Sequence, residues 1–144
     1  MTVKAIPEGY HSVTPYLLVK GAAQLLEFVK EAFGAEQTVH APMGEGRLHA
    51  EVRIGDSMVM MGDAGEMAPI PAMIYLYVDD ADSVYLQALK AGGKSLQEPA
   101  VMFYGDRAAA VQEPLGNHWW IATHIEDVTA EEMERRRLAQ MGAQ

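Results

Sequence analysis

His49 and Glu51 stand two residues apart in the segment Arg47-Leu-His-Ala-Glu-Val-Arg53. Leu48, Ala50, Val52 and Ile54 alternate with Arg47, His49, Glu51 and Arg53. That is the period of a β-strand, which puts the imidazole and the carboxylate on one face, within reach of one ligand. Such a pair can do general acid–base work if burial moves one of the two pKa values. A strand histidine beside a glutamate is more often a satisfied structural pair on a wetted sheet face. The other histidines add little. His11, His40 and His124 fall near strand ends or in loops and are predicted to join no constellation. A metal set built from His11, His49, Glu51 and His118 has no spacing to fix it. The chain has no cysteine, hence no thiolate zinc site, cysteine nucleophile or disulfide. It has no Gly-x-Ser-x-Gly elbow, no P-loop and no Gly-x-Gly-x-x-Gly after a strand, which disfavours serine hydrolase, NTPase and dinucleotide chemistry. Ser12, Ser57, Ser83 and Ser95 sit at strand or turn edges with no base in view.

The elements that must position these residues repeat. Val13–Val19 alternates as a strand. From Gly21 to Phe33 the period becomes helical, with Ala22, Leu25, Leu26, Val29 and Phe33 on one stripe and Gly34 as the stop. Strands follow at Glu36–Ala41, Leu48–Ile54 and Ser57–Gly62, the last two joined by a tight Gly55-Asp56 turn. Residues 63–71, rich in glycine and proline, read as a linker. Then the order recurs. Met73–Val78 is a strand, and Asp80 caps a helix carrying Ala81, Val84, Tyr85, Ala88 and Leu89. Gly92-Gly93 ends it, and strands follow near Leu96–Phe103, Arg107–Gln112 and His118–Thr123. The turn Glu113-Pro-Leu-Gly-Asn117 joins the last two. Tyr16-Leu17-x-Val19-x-x-Ala22 matches Tyr75-Leu76-x-Val78-x-x-Ala81 at an offset of 59, and Gly34 matches Gly93 at the same offset. The prediction is an α+β chain of two tandem βαβββ modules, about 12–62 and 72–124, within a single domain spanning 1–144. A third helix covers about 129–141, with a Thr129/Glu132 capping box and Glu131→Arg135 and Glu132→Arg136 pairs.

Composition bounds the partners. Eleven basic residues against 20 acidic ones leave a net charge of −9, which disfavours nucleic acid. The longest apolar stretch, Met67 to Val78, is too short for a bilayer and holds two prolines, so no membrane partner is expected. No signal-peptide pattern opens the chain, and the lack of cysteine suits a reducing cytoplasm, the predicted location.

The repeated module resembles the vicinal oxygen chelate superfamily of glyoxalase I, extradiol dioxygenases and bleomycin-resistance proteins, and most of all its PhnB-like branch. The resemblance rests on Ile6-Pro-Glu-Gly-Tyr10 leading into Thr14-Pro15-Tyr16-Leu17, then Phe28 to Glu36. His49-Ala50-Glu51 with Ile54-Gly55-Asp56-Ser57 follows, and last Glu113-Pro-Leu-Gly116 running into Ala122-Thr-His-Ile-Glu-Asp-Val128. It implies that each module curls an antiparallel or mixed sheet into half a barrel, helices outside, with paired modules enclosing a cup. It also implies a homodimer. Whether modules pair within one chain or between two stays open at this point.

Metal-dependent members of that superfamily place ligands at positions that match Thr14, Met60, Met73 and Trp120. A neutral hydroxyl, two thioethers and an indole that only donates do not suit a divalent ion that wants carboxylate or imidazole. No metal and no other cofactor is therefore expected. Strand alternation from those positions turns Thr14, Tyr16, Met58, Met60, Met73, Tyr75, Tyr77, His118 and Trp120 into the cup, with His49 and Glu51 as polar groups. Aromatic walls and adaptable methionines suit a small, partly aromatic ligand, or else simply fill the half-barrels. The expected function is metal-free binding of such a molecule. The alternative is a glyoxalase- or lyase-type enzyme using Glu51 or His49 as acid or base, or an atypical metal site.

Overall fold

The computed structural model describes residues 2–142. Module 1 comprises β1 (Tyr16–Val19), α1 (Ala22–Phe33), β2 (Glu36–Gly44), β3 (Arg47–Ile54) and β4 (Ser57–Asp63). Module 2 comprises β5 (Met73–Tyr77), α2 (Ala81–Lys90), β6 (Lys94–Val101), β7 (Asp106–Gln112) and β8 (His118–His124), and α3 (Ala130–Gly142) follows. The sheets run in the orders β1-β4-β3-β2 and β5-β8-β7-β6. The pairings β1–β4 and β5–β8 are parallel and the others antiparallel, so each sheet is mixed, as the repeated module requires.

Most departures from the sequence reading lie at element ends. β1 begins at Tyr16 rather than Val13, because Pro15 has no N–H to give a ladder. Its carbonyl still accepts from the Met60 N–H at 2.9 Å, so Thr14 and Pro15 lead into the strand without belonging to it. β6 stops at Val101 because residues 102–105 form a turn, with the Gly105 N–H on the Met102 carbonyl at 3.1 Å and Gly105 at φ 101. Asp63 ends β4 rather than opening the linker. It accepts from the amides of Gly21 and Ala22, supplying the N-terminal cap that α1 lacks locally, and from the Leu48 amide. Thr123 does similar work in module 2, accepting from the Ala81 N–H and donating to the Val78 carbonyl. In α3, Thr129 caps the Glu132 amide, but Glu132 does not turn back to complete a capping box. It pairs with Arg135 and Arg136 instead, which leaves the expected Glu131–Arg135 pair unformed.

The core lies on the helix side of each sheet. Leu17, Val19, Leu48, Ala50, Val52, Ile54, Val59 and Met61 bury against α1. Trp119 and Ile121 do the same in module 2. Full burial of a side chain such as Leu17 or Leu25 stabilises by roughly 1.5–3 kcal/mol. The modules meet through their helices. Gln87 of α2 donates to the Glu31 carbonyl of α1 at 2.8 Å, and the Phe33 ring lies 4.8 Å from that of Trp119. Among the described residues no strand of one module is hydrogen-bonded to a strand of the other. Both sheets thus spend their apolar faces on one shared core, and each leaves its opposite face without a helical layer.

Candidate functional site

In module 1 the uncovered face carries Tyr16, Met60, His49 and Glu51. The register places Tyr16 and Glu51 on either side of Met60, and His49 opposite Gly62. His49 Nε2 lies 2.8 Å from Glu51 Oε2, and Tyr16 Oη lies 3.0 Å from His49 Nδ1. A neutral ring donating from Nε2 and accepting at Nδ1 satisfies both contacts. Tyr10, from the segment before β1, donates its hydroxyl to Glu51 Oε1. The result is one chain of hydrogen bonds, Tyr16–His49–Glu51–Tyr10, held over strands β1, β3 and β4. Gly62 makes room for it, since a Cβ there would collide with the Tyr16 hydroxyl. Met58 is buried on this face, while Thr14 and Met60 are half-buried. Nothing in the sequence announced Tyr10: it lies 41 residues from Glu51 and reaches it only because the leading segment crosses the sheet.

In module 2 the corresponding face carries Met73, Tyr75 and Tyr77 from β5, paired in register with His118, Trp120 and Ala122 of β8. The Tyr75 and Trp120 rings lie 7° from parallel with centroids 6.3 Å apart, and the Tyr77 ring lies 5.3 Å from that of Tyr75. Ala108 and Ala110 of β7 pair with Ala122 and Trp120 and form a floor of small side chains below the rings. At the end of that row sits Asp106, 1% exposed. It accepts from the hydroxyls of Tyr75 and Tyr77, each at 2.8 Å, and contacts His124 Nδ1 at 2.8 Å. His124 Nε2 reaches Asp127 at 2.8 Å, and Tyr104 Oη lies 3.0 Å from that of Tyr75. Burial pushes the Asp106 carboxyl up, but the hydrogen bonds from His124, Tyr75 and Tyr77 outweigh it and leave the group below the usual carboxylate range. His124 is raised, first by Asp106 and then by Asp127. Tyr75 is raised by its own burial and by its bonds to Tyr104 and Asp106.

The structure therefore corrects the reading of His124, which was expected to stand alone. The available signal was Asp106 in alternation with Ala108 and Ala110, a lone acid on an otherwise small-residue face.

The candidate residues form two groups. Thr14, Tyr16, His49, Glu51, Met58 and Met60 lie in module 1; Met73, Tyr75, Tyr77, His118 and Trp120 lie in module 2. Within one chain the groups occupy separate sheets, and several members stand open: Tyr16 is 50% exposed, Tyr77 60% and Met73 64%. The positions matching a metal set divide the same way, Thr14 and Met60 against Met73 and Trp120. Their donors do not fit a divalent ion, and among the described residues no group of three His, Asp or Glu is placed to hold one. No described helix is long and apolar enough to cross a membrane.

Comparison with known proteins agrees with this architecture. An uncharacterized protein of Mycobacterium bovis is 30% identical over 136 residues, which span 85% of this chain and 90% of that one. An uncharacterized protein of Mycobacterium tuberculosis matches at the same identity over 80% of its length. Among solved structures, TioX from Micromonospora sp. ML1 superposes with a TM-score of 0.70 at 20% identity, over 80% of this chain and 99% of that one. A glyoxalase/bleomycin resistance protein/dioxygenase family enzyme from Burkholderia phytofirmans PsJN does so at 0.67 and 16% identity, over 78% and 97%. These likenesses establish a common fold. The model of the Glyoxalase/Bleomycin resistance protein/Dioxygenase superfamily matches residues 9–121, and with most of both modules inside that match, the chain belongs to this superfamily.

Proposed function

We propose that this protein binds a small, partly aromatic organic molecule without a metal. The site is a cup closed by a second copy of the chain, module 1 of one protomer facing module 2 of its partner. The observation that carries this reading is the pair of uncovered sheet faces. Tyr16, Met73, Tyr75 and Tyr77 stand open on them, while the helix sides are used up in the shared core. Aromatic residues and methionines exposed together mark a surface that takes a ligand or a partner. A homodimer pairing unlike modules does both at once and repeats the closure by symmetry. The resemblance of residues 6–10 before β1 and of residues 125–128 after β8 supports a place in the PhnB-like branch, and the absence of cysteine favours the cytoplasm. The test is sedimentation together with a thermal-shift screen of flat aromatic metabolites and antibiotics, with and without divalent metals. The expected result is a dimer stabilised by one class of compound irrespective of metal. A concentration-independent monomer, or one tightly held zinc, nickel or iron per chain, would overturn it.

A second reading has its own observation. The chain Tyr16–His49–Glu51–Tyr10 orients an imidazole and a carboxylate as an acid–base pair requires, and supports a glyoxalase- or lyase-type enzyme. Glu51→Gln separates the two. Binding alone predicts a modest change in affinity and no turnover to lose; wild-type turnover abolished in the variant would establish the enzyme.

A further inference from the structure

The six arginines of this acidic chain divide by location. Arg107 is held by Asp82, Arg135 by Glu132, Arg136 by Glu126 and Glu132, and Arg137 by Glu134. All four lie away from the uncovered face of module 1. Arg47 and Arg53 share that face with His49 and Glu51, and among the described residues neither guanidinium has a carboxylate partner or donates a hydrogen bond. Glu45 and Glu66, the acids nearest to Arg47 along the chain and beside Gly65, make no ion pair with it, and two further acids are already engaged. Glu51 accepts from Tyr10 and contacts His49, and Asp63 accepts from three backbone amides. Arg53 has Glu36 opposite it in register, a group able to neutralise it. Arg47 has only Gly44.

Arg47 also lines a cavity of about 140 Å³ with Tyr16, Met43, Leu48, His49, Gly62 and Asp63, whose carboxylate oxygens are taken up by the Gly21, Ala22 and Leu48 amides. Gly65, at φ 63, lets the guanidinium lie close to the backbone, since a Cβ there would sit 2.8 Å from Nη1. A planar fork of five donors with no protein acceptor has the chemistry of an oxyanion site by itself, since the protons of Tyr16 and His49 beside it are committed to His49 and Glu51.

We infer that the ligand carries a carboxylate or sulfonate-like oxyanion. Arg47 takes that group beside Tyr16 and His49, while the flat body of the molecule lies on the Tyr75–Trp120 face of the facing module. This rests on the cup reading above and adds the charge and orientation of the ligand to it. The Asp106 carboxylate on the aromatic side does not oppose the assignment, because its oxygens are engaged by Tyr75, Tyr77 and His124.

The test is calorimetric titration of the full chain with 2-naphthoate, 2-naphthalenesulfonate and the neutral 2-naphthamide. At least one anion is expected to bind about tenfold to a hundredfold more tightly than the amide, the factor of one charge-assisted contact. Naphthoate against naphthalenesulfonate tells planar from tetrahedral recognition. Arg47→Met is expected to close the gap by weakening the anions about tenfold or more, while the amide, whose carbonyl takes only a neutral-acceptor bond, loses less. Arg47→Lys, a point charge without the fork, should restore part of it. Arg47 is exposed, so its variants should fold, and their melting curves check this. An amide that binds as tightly as both anions, or a gap that survives Arg47→Met, refutes the oxyanion assignment and leaves the cup standing. Binding by none of the three probes refutes the cup reading for flat aromatics, and this inference with it.

Discussion

Replacing Glu113 by Gln exchanges one oxygen for an amide nitrogen at a position where three donors converge. Glu113 is 1% exposed in the β7–β8 turn. Oε1 accepts from the Asn117 amide at 2.8 Å, and Oε2 accepts from Asn117 Nδ2 and Trp119 Nε1, both at 2.9 Å. Asn117 Oδ1 in turn accepts from the Ala72 amide, immediately before β5. The carboxylate therefore ties together the starts of β5 and β8, the two strands that carry the aromatic face. A glutamine with its carbonyl at the Oε2 position keeps two donors satisfied but points its own NH₂ at the Asn117 N–H. The opposite orientation satisfies one donor and opposes two. The better choice still loses a charge-assisted bond and strands a buried N–H, which costs about 3 kcal/mol. With a urea m-value of about 2 kcal/mol/M, that lowers the unfolding midpoint by about 1.5 M. The assay is equilibrium urea unfolding followed by tryptophan fluorescence, since Trp119 is buried beside the turn, and by far-UV circular dichroism. Protein concentration must be matched between variants, because association adds to apparent stability. A loss below about 0.5 kcal/mol would show that the turn is held by its backbone alone, and the argument from converging donors would fail.

The Asp106–His124 pair predicts a pH window. His124 titrates above its ordinary 6.5, so its contribution is complete below about pH 6.5 and is lost as pH rises through the raised value. Asp106 titrates below 3.8, so its contribution is complete above about pH 4 and is lost as pH falls through the lowered value. The difference in Tm between wild type and His124→Gln should be largest near pH 5–6 and shrink above neutrality; a constant difference from pH 5 to 9 would contradict the pair. Gly105→Ala should cost about 2–4 kcal/mol, because φ is 101 and the new Cβ would collide with the Glu126 carbonyl. Chemical denaturation measures this, and a loss under 1 kcal/mol would mean that the 102–105 turn relaxes freely.

Much of the fold was legible because its signals are local. The alternation of Leu48, Ala50, Val52 and Ile54 names the buried side of β3 whatever that strand pairs with, and the same holds for Trp119 and Ile121 in β8. Gly34 at φ 66 and Asp80 accepting from the Ser83 amide end and begin helices through chemistry within one turn. The face assignments of Tyr16, Met60, Tyr75 and Trp120 follow from the same period and agree with the observed register. The His49–Glu51 contact was visible for the same reason, two residues on one strand.

The two-module plan and the helix-facing side of each strand are readable in the chain itself, because periodicity is a property of neighbouring residues. Which polar groups meet depends instead on the path of the chain in space. Asp106 finds Tyr75 and Tyr77, about 30 residues away, through strand order and register, and Tyr10 finds Glu51 through the path of a segment with no regular structure. The packing of α1 on α2, which leaves Tyr16 of module 1 and the tyrosine row of module 2 exposed, is likewise settled by long-range contacts. Docking of one module on another depends on the summed fit of distant surfaces, which no local pattern encodes.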